Sequence, residues 1–132
     1  MWKPMSLIAV ALFAATPASA QQLEGWWTNP KGTVVIKVER CGPAYCGRVI
    51  HATAKARENA RKSGTPQLIG TRILTGLKPI GEGRYRGQAF VPRHKVRGTA
   101  TVRQISRDVM QVQGCVVGGM LCDNERWTRV HG

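Results

Sequence analysis

Acidic side chains are scarce in this chain: seven Asp and Glu stand against twenty Lys and Arg, for a formal net charge of +13. Such an imbalance points to polyanionic surroundings, an anionic lipid surface or an acidic protein among them. The basic residues are spread along the chain and form no block. Aromatic residues are also few, at 6%. No stacking platform with interleaved cations can be assembled from them, which counts against nucleic acid as a partner. The three histidines, His51, His94 and His131, share no metal-ligand spacing. No G-x-S-x-G elbow and no Ser, His and Asp set can be put together. The expectation is a protein that is not an enzyme and carries no metal and no cofactor. Long apolar runs are missing too. The run from Leu7 to Ala15 is too short to cross a bilayer, which takes about 20 such residues.

That short run belongs to a pattern. Lys3 precedes it and Ala18-Ser19-Ala20 follows it, the layout of a secretory signal peptide with an A-x-A-like cleavage site. Residues 1–20 read as the signal peptide and 21–132 as a single domain, periplasmic or secreted. Removing the leader takes away only one charge, Lys3, so the domain stays strongly basic. Export leads to a compartment where disulfides persist. Four cysteines, Cys41, Cys46, Cys115 and Cys122, allow three complete pairings.

Hairpin arithmetic favours one of them. If Gly118-Gly119 forms a two-residue turn, which suits positive φ at both positions, Cys115 falls opposite Cys122. Opposed Cα atoms in an antiparallel pair lie about 4.5–5.5 Å apart, within disulfide reach. The same register puts Met110, Val112, Val116, Leu121 and Trp127 on one face, with Asp123 and Glu125 as polar intruders. In "VVIKVERCGPAYCGRVIHA", a turn centred on Pro43-Ala44 pairs Cys41 with Cys46, Glu39 with Arg48, and Val38 with Val49. Val34, Ile36, Val38, Val49 and His51 then share the inner face. Zinc is disfavoured because the C-x4-C and C-x6-C spacings are wider than zinc ribbons use.

The rest of the chain reads as further strands: 25–29, 70–80, 84–91 with a Gly-rich loop before it, and 96–105. With the two hairpins they make about eight strands in up-and-down order, the spacing of an all-β barrel. One segment differs. "TAKARENARKSGTPQ" has helix propensity from Ala54 to Lys62 and a stop at Ser63-Gly64. It reads as a short basic helix or mobile flap whose Lys55, Arg57, Arg61 and Lys62 either bind phosphate or, the favoured reading, are simply solvated. Gly87, Ala89, Gly98 and Ala100 alternate with Tyr85, Val91, Val96 and Val102 on one face. Small residues there leave room for a ligand, unless Trp26, Trp27 or Trp127 fills it.

"GWWTNPKGTVVIKVERCGPAYCGRV", "IGTRILTGLK", "YRGQAFVP" and "VQGCVVGGMLCDNERWTRV" together resemble a family of small exported bacterial proteins known as domain of unknown function 2147. The resemblance covers nearly all of 21–132. It implies a lipocalin- or calycin-type barrel with a lipophilic or amphiphilic ligand, and supplies no established activity. Gly25-x-Trp27 also resembles the G-x-W signature of lipocalins, in which a late arginine packs over the tryptophan. Arg129 is the candidate for that structural role, a cation–π contact of about 0.5–2 kcal/mol.

Two functions remain open. One is a small lipophilic or amphiphilic ligand in the barrel, with His51 and Tyr85 as inward polar groups and Arg93, at a strand end, meeting an anionic headgroup. The other is a filled barrel whose basic exterior binds an acidic protein or an anionic lipid surface of the envelope. The chain is expected to be monomeric in either case.

Overall fold

A computed structural model describes residue 4, residues 23–116 and residues 121–131. The leader expected over 1–20 and the Gly118-Gly119 turn lie outside the described residues, apart from Pro4. The elements are β1 (Gly25–Thr28), β2 (Val34–Cys41), β3 (Ala44–Ala52), α1 (Ala54–Lys62), β4 (Arg72–Gly81), β5 (Arg84–Val91), β6 (Val96–Ser106), β7 (Val109–Val116) and β8 (Leu121–Arg129). Each strand pairs antiparallel with the next, and β1 pairs with β8 to close the barrel.

The alternation that specifies one inner face holds across most of the wall. Tyr85 pairs with Val102, Gly87 with Ala100, Ala89 with Gly98 and Val91 with Val96. On β7 and β8, Met110 faces Trp127, Val112 faces Glu125 and Cys115 faces Cys122. Side chains of the inner set from one half of the barrel are packed solid. Trp27, Ile36, Val38, Val49, Leu77, Val102 and Met110 are all at most 1% exposed. This core anchors the packed end, where the β2–β3, β4–β5 and β6–β7 turns lie.

The first hairpin corrects the expected register by two residues. Cys41 is opposite Ala44, Glu39 opposite Cys46 and Ile36 opposite Val49. The turn is therefore Gly42-Pro43, with Gly42 at φ +71°, a conformation in which a glycine at the first turn position carries no penalty. The Cys41–Cys46 disulfide forms all the same, diagonally, across a Cα separation of 5.8 Å. Arg48 still reaches Glu39, donating from Nε at 3.1 Å, and with Lys37 it holds that carboxyl below its usual range. Cys115–Cys122 is the directly opposed pair that the arithmetic gives, with Cα atoms 4.1 Å apart.

A bulge then corrects the place of His51. Val35 pairs with His51 while Ile36 pairs with Val49, so Ile50 is an extra residue on β3. One added residue inverts every side chain beyond it, and His51 ends exposed on the outer face beside Val35.

The helical segment has the bounds that its propensity gives. Thr53 caps the N-terminus by accepting from the Ala56 N–H at 3.2 Å. Gly64, at φ +97°, ends the turn. Glu58 pairs with Arg61 and lies near Lys62 on the exposed side. The other side is seated: Ala60 and Leu68 join the core, and buried Thr65 donates from its hydroxyl to Pro92 O at 3.5 Å. The segment thus covers part of the second, open end of the barrel.

Candidate functional site: an apolar cavity at the open end

Above the packed layer the barrel encloses a cavity of about 680 Å³. Its floor includes Trp127, Val49 and Leu74, and its wall includes Ile73, Ala89, Val91, Val112 and Val116. Leu68 covers it from the α1–β4 connection, and Pro92 and His94 reach it from the β5–β6 turn. The volume lies within the ordinary range for small-molecule sites, about 300–1,000 Å³.

Glycine governs where the room is. A Cβ on Gly87 would collide with the backbone of Thr75 and Gly76, and one on Gly98 with the Cys115 carbonyl. Those two glycines serve close approach of neighbouring strands and contribute no free space. Gly98 and Gly114 both line the cavity, but at Gly114 a Cβ would meet nothing within 4 Å. Spacing along the strand cannot separate these cases, since all three glycines sit on the inner face.

The tryptophans divide the same way. Trp27 is wholly buried in the core and Trp127 forms part of the cavity floor. Trp26 points outward, 46% exposed. The barrel is accordingly filled at one end and open at the other.

The residues singled out from sequence are not brought together. His51 is outside. Tyr85 does face inward, but at the packed end, edge-to-face with Tyr45 at 5.7 Å between centroids. Burial there pushes its phenol pKa up. It borders only a recess of about 200 Å³, with Arg40 and Pro43. Arg93 is exposed in the β5–β6 turn, and its neighbours Pro92 and His94 line the cavity where it does not. Among the described residues neither Lys nor Arg lines the cavity. The polar groups that do are Asn29, His94, Asp123 and Glu125. Asn29 is occupied by the β1–β2 turn, accepting from the Thr33 and Val34 N–H groups at 2.9 and 3.0 Å. Glu125 accepts from the Trp127 indole N–H at 3.2 Å. Among the described residues no group of three or more His, Cys, Asp or Glu is placed to hold a metal.

At the packed end, Gly25, Trp27 and Arg129 form one lock. The Arg129 guanidinium lies 4.4 Å over the Trp27 ring. It donates to Glu24 O at 2.7 Å and to Arg107 O at 2.9 Å, tying the strand entry to the β6–β7 turn. Trp27 donates its indole N–H to Leu23 O at 2.9 Å. Gly25 has φ +140°, and any Cβ there would strike the guanidinium. Partial burial lowers the pKa of Arg129 while nearby Asp108 raises it.

A closed eight-stranded up-and-down barrel, locked at one end and hollow at the other, is the architecture of a lipocalin-like protein. Among solved structures it is similar to HP1028 of Helicobacter pylori, whose structure is described as belonging to the lipocalin family. The two share 14% identity with a TM-score of 0.64 over 83% of each chain. No curated protein matches the chain. The chain belongs to the bacterial family described as "Uncharacterized protein conserved in bacteria (DUF2147)", whose profile matches residues 25–129.

Proposed function

We propose that this is an exported, non-enzymatic binding protein that takes a small lipophilic or amphiphilic ligand in the open half of its barrel. The apolar cavity with free room at Gly114 carries this reading. An apolar chain seated there would exchange water contact for Val, Leu, Ile and Trp127 surface, worth roughly 0.8 kcal/mol per buried methylene. Native mass spectrometry of protein purified from the envelope of its own host tests it, alongside uptake of an environment-sensitive fluorescent probe. Gly114→Phe fills the cavity from a position where the new side chain has space. Probe uptake should disappear in that variant while the fold is retained. Uptake that is absent in the parent chain, or equal in the variant, refutes the proposal. Export rests on the leader pattern and fits the two disulfides; N-terminal sequencing should begin at Gln21.

A second reading has its own observation. On the outer face Lys78 pairs with Arg86, Arg84 with Arg103 and Arg48 with Arg72. Like charges placed directly opposite destabilise a sheet, so this stripe gains when an anionic surface lies against it. Adsorption to anionic lipid vesicles or an acidic protein would then fall sharply with salt, whereas a ligand in the cavity would hardly respond.

A further inference from the structure

The charges of this protein are sorted across the barrel wall. The chain has twenty Lys and Arg and seven acidic residues; among the described residues no Lys or Arg lines the cavity, while two of the acids do. Register accounts for both: Glu125 faces Val112 and Asp123 faces Gly114, on the inner alternation of β7 and β8. Elsewhere Glu39, Glu58 and Asp108 each lie within salt-bridge distance of a cation. Among the described residues Asp123 and Glu125, like Glu24 and Glu82, have no such partner, but of these four only Asp123 and Glu125 line the cavity.

From this sorting we propose that the cavity selects amphiphiles with a positively charged headgroup, an amine or quaternary ammonium, and rests the apolar chain against the aliphatic wall of Ile73, Ala89, Val91 and Val116. This deepens the reading of the cavity as a ligand site and depends on it. Two features meet at the headgroup position, the Trp127–Glu125 pair and the room at Gly114 opposite Asp123. Trp127 presents an indole at the cavity surface, and aromatic faces attract ammonium groups. The same indole holds the Glu125 carboxylate through its N–H at 3.2 Å, so the anion is positioned before the ligand arrives. Gly114, across from Asp123, leaves the space that a headgroup needs. An anionic headgroup would meet two carboxylates and, among the described residues, no Lys or Arg on the cavity lining.

The test uses the full mature domain and three dodecyl amphiphiles below their micelle concentrations, at about 0.15 M salt. They are dodecyltrimethylammonium, a neutral dodecyl glycoside and dodecanoate, each competed against a cavity-bound fluorescent probe. The ammonium compound should displace the probe at a concentration about three- to five-fold below the neutral one, the scale of an ion pair with exposed carboxylates. The Asp123→Asn, Glu125→Gln double variant should abolish that preference and leave the neutral compound unchanged. Both substitutions are near-isosteric at solvent-accessible positions, and circular dichroism checks that the fold is kept. Equal displacement by all three, tighter binding of dodecanoate, or a preference that survives the double variant overturns the headgroup assignment while the cavity reading stands. Failure of every amphiphile and of the probe itself overturns the cavity reading. Binding of dodecanoate that persists in Gly114→Phe is adsorption to the exterior and argues against lumenal selection.

Discussion

Replacing Arg129 with methionine should unlatch the packed end of the barrel without changing its volume much. At least four contacts go at once: the cation–π stack on Trp27 at 4.4 Å, hydrogen bonds to Glu24 O and Arg107 O, and the ion pair with Asp108 at 3.7 Å. The stack is worth about 0.5–2 kcal/mol. Hydrogen bonds from a charged donor contribute about 1.5–3 kcal/mol each when both partners are desolvated. Both carbonyls lie near solvent here and can recover water, so the lower part of the range applies. The net expectation is a loss of about 2–4 kcal/mol, or about 10 °C in Tm for a domain of this size. Urea unfolding followed by tryptophan fluorescence measures it. Arg129→Lys keeps the charge but not the planar fork, and should recover only part of the loss. A double-mutant cycle makes the reasoning sharper. Gly25→Ala drives a methyl group into the guanidinium, so Gly25→Ala combined with Arg129→Ala should be less damaging than the sum, by about 1 kcal/mol. Strict additivity, or an Arg129→Met loss below about 0.5 kcal/mol, would show that the arginine is not a latch.

Gly98→Ala should destabilise by about 2 kcal/mol or more because the Cys115 carbonyl occupies the methyl's place, whereas Gly114→Ala should be within about 0.5 kcal/mol of the parent; thermal unfolding distinguishes them. The Gln104 side-chain amide is buried with neither Nε2 nor Oε1 satisfied, so Gln104→Met should stabilise by about 1 kcal/mol, and a loss instead would reveal an ordered water holding that amide. Non-reducing peptide mapping should recover Cys41–Cys46 and Cys115–Cys122 crosslinks alone; any crosslink between the two hairpins contradicts the register.

The barrel was legible because strand alternation is a strong constraint. A single misplaced residue turns a whole face around, so Met110, Val112 and Trp127 could share a side with Val116 in only one register. The helix was equally plain, since Thr53 and Ser63-Gly64 bracket a segment without β-branched residues. What spacing could not show is where the period breaks. Nothing in "RVIHATA" marks Ile50 as an extra residue, because the bulge answers to the fit of β3 between two neighbours with their own offsets. His51 was turned outward by that single insertion. The first turn slipped for a related reason. Pro43-Ala44 and Gly42-Pro43 are both acceptable turn pairs, and a two-residue shift leaves every side chain on the same face, so the apolar pattern does not choose between them.

Of the polar ligand positions read from sequence, none lines the cavity: Tyr85 lies at the packed end, and His51 and Arg93 are exposed. Tyr85 lies on the inner face as alternation requires, but a face index carries no depth, and depth separates a core tyrosine from a lining one. Arg93 was judged by its nearness to Val91, although a residue just past a strand end is free of the alternation. The informative signal was instead the pair that broke the pattern. Asp123 and Glu125 fall on the apolar side of an otherwise consistent hairpin, in a chain with few acids to spare. Two carboxylates on an inner face are costly in a filled barrel, where each would need a buried partner. They are tolerable in an open one, where water or a ligand solvates them. Their register therefore already argued that this end of the barrel is hollow, before any wall was drawn around it.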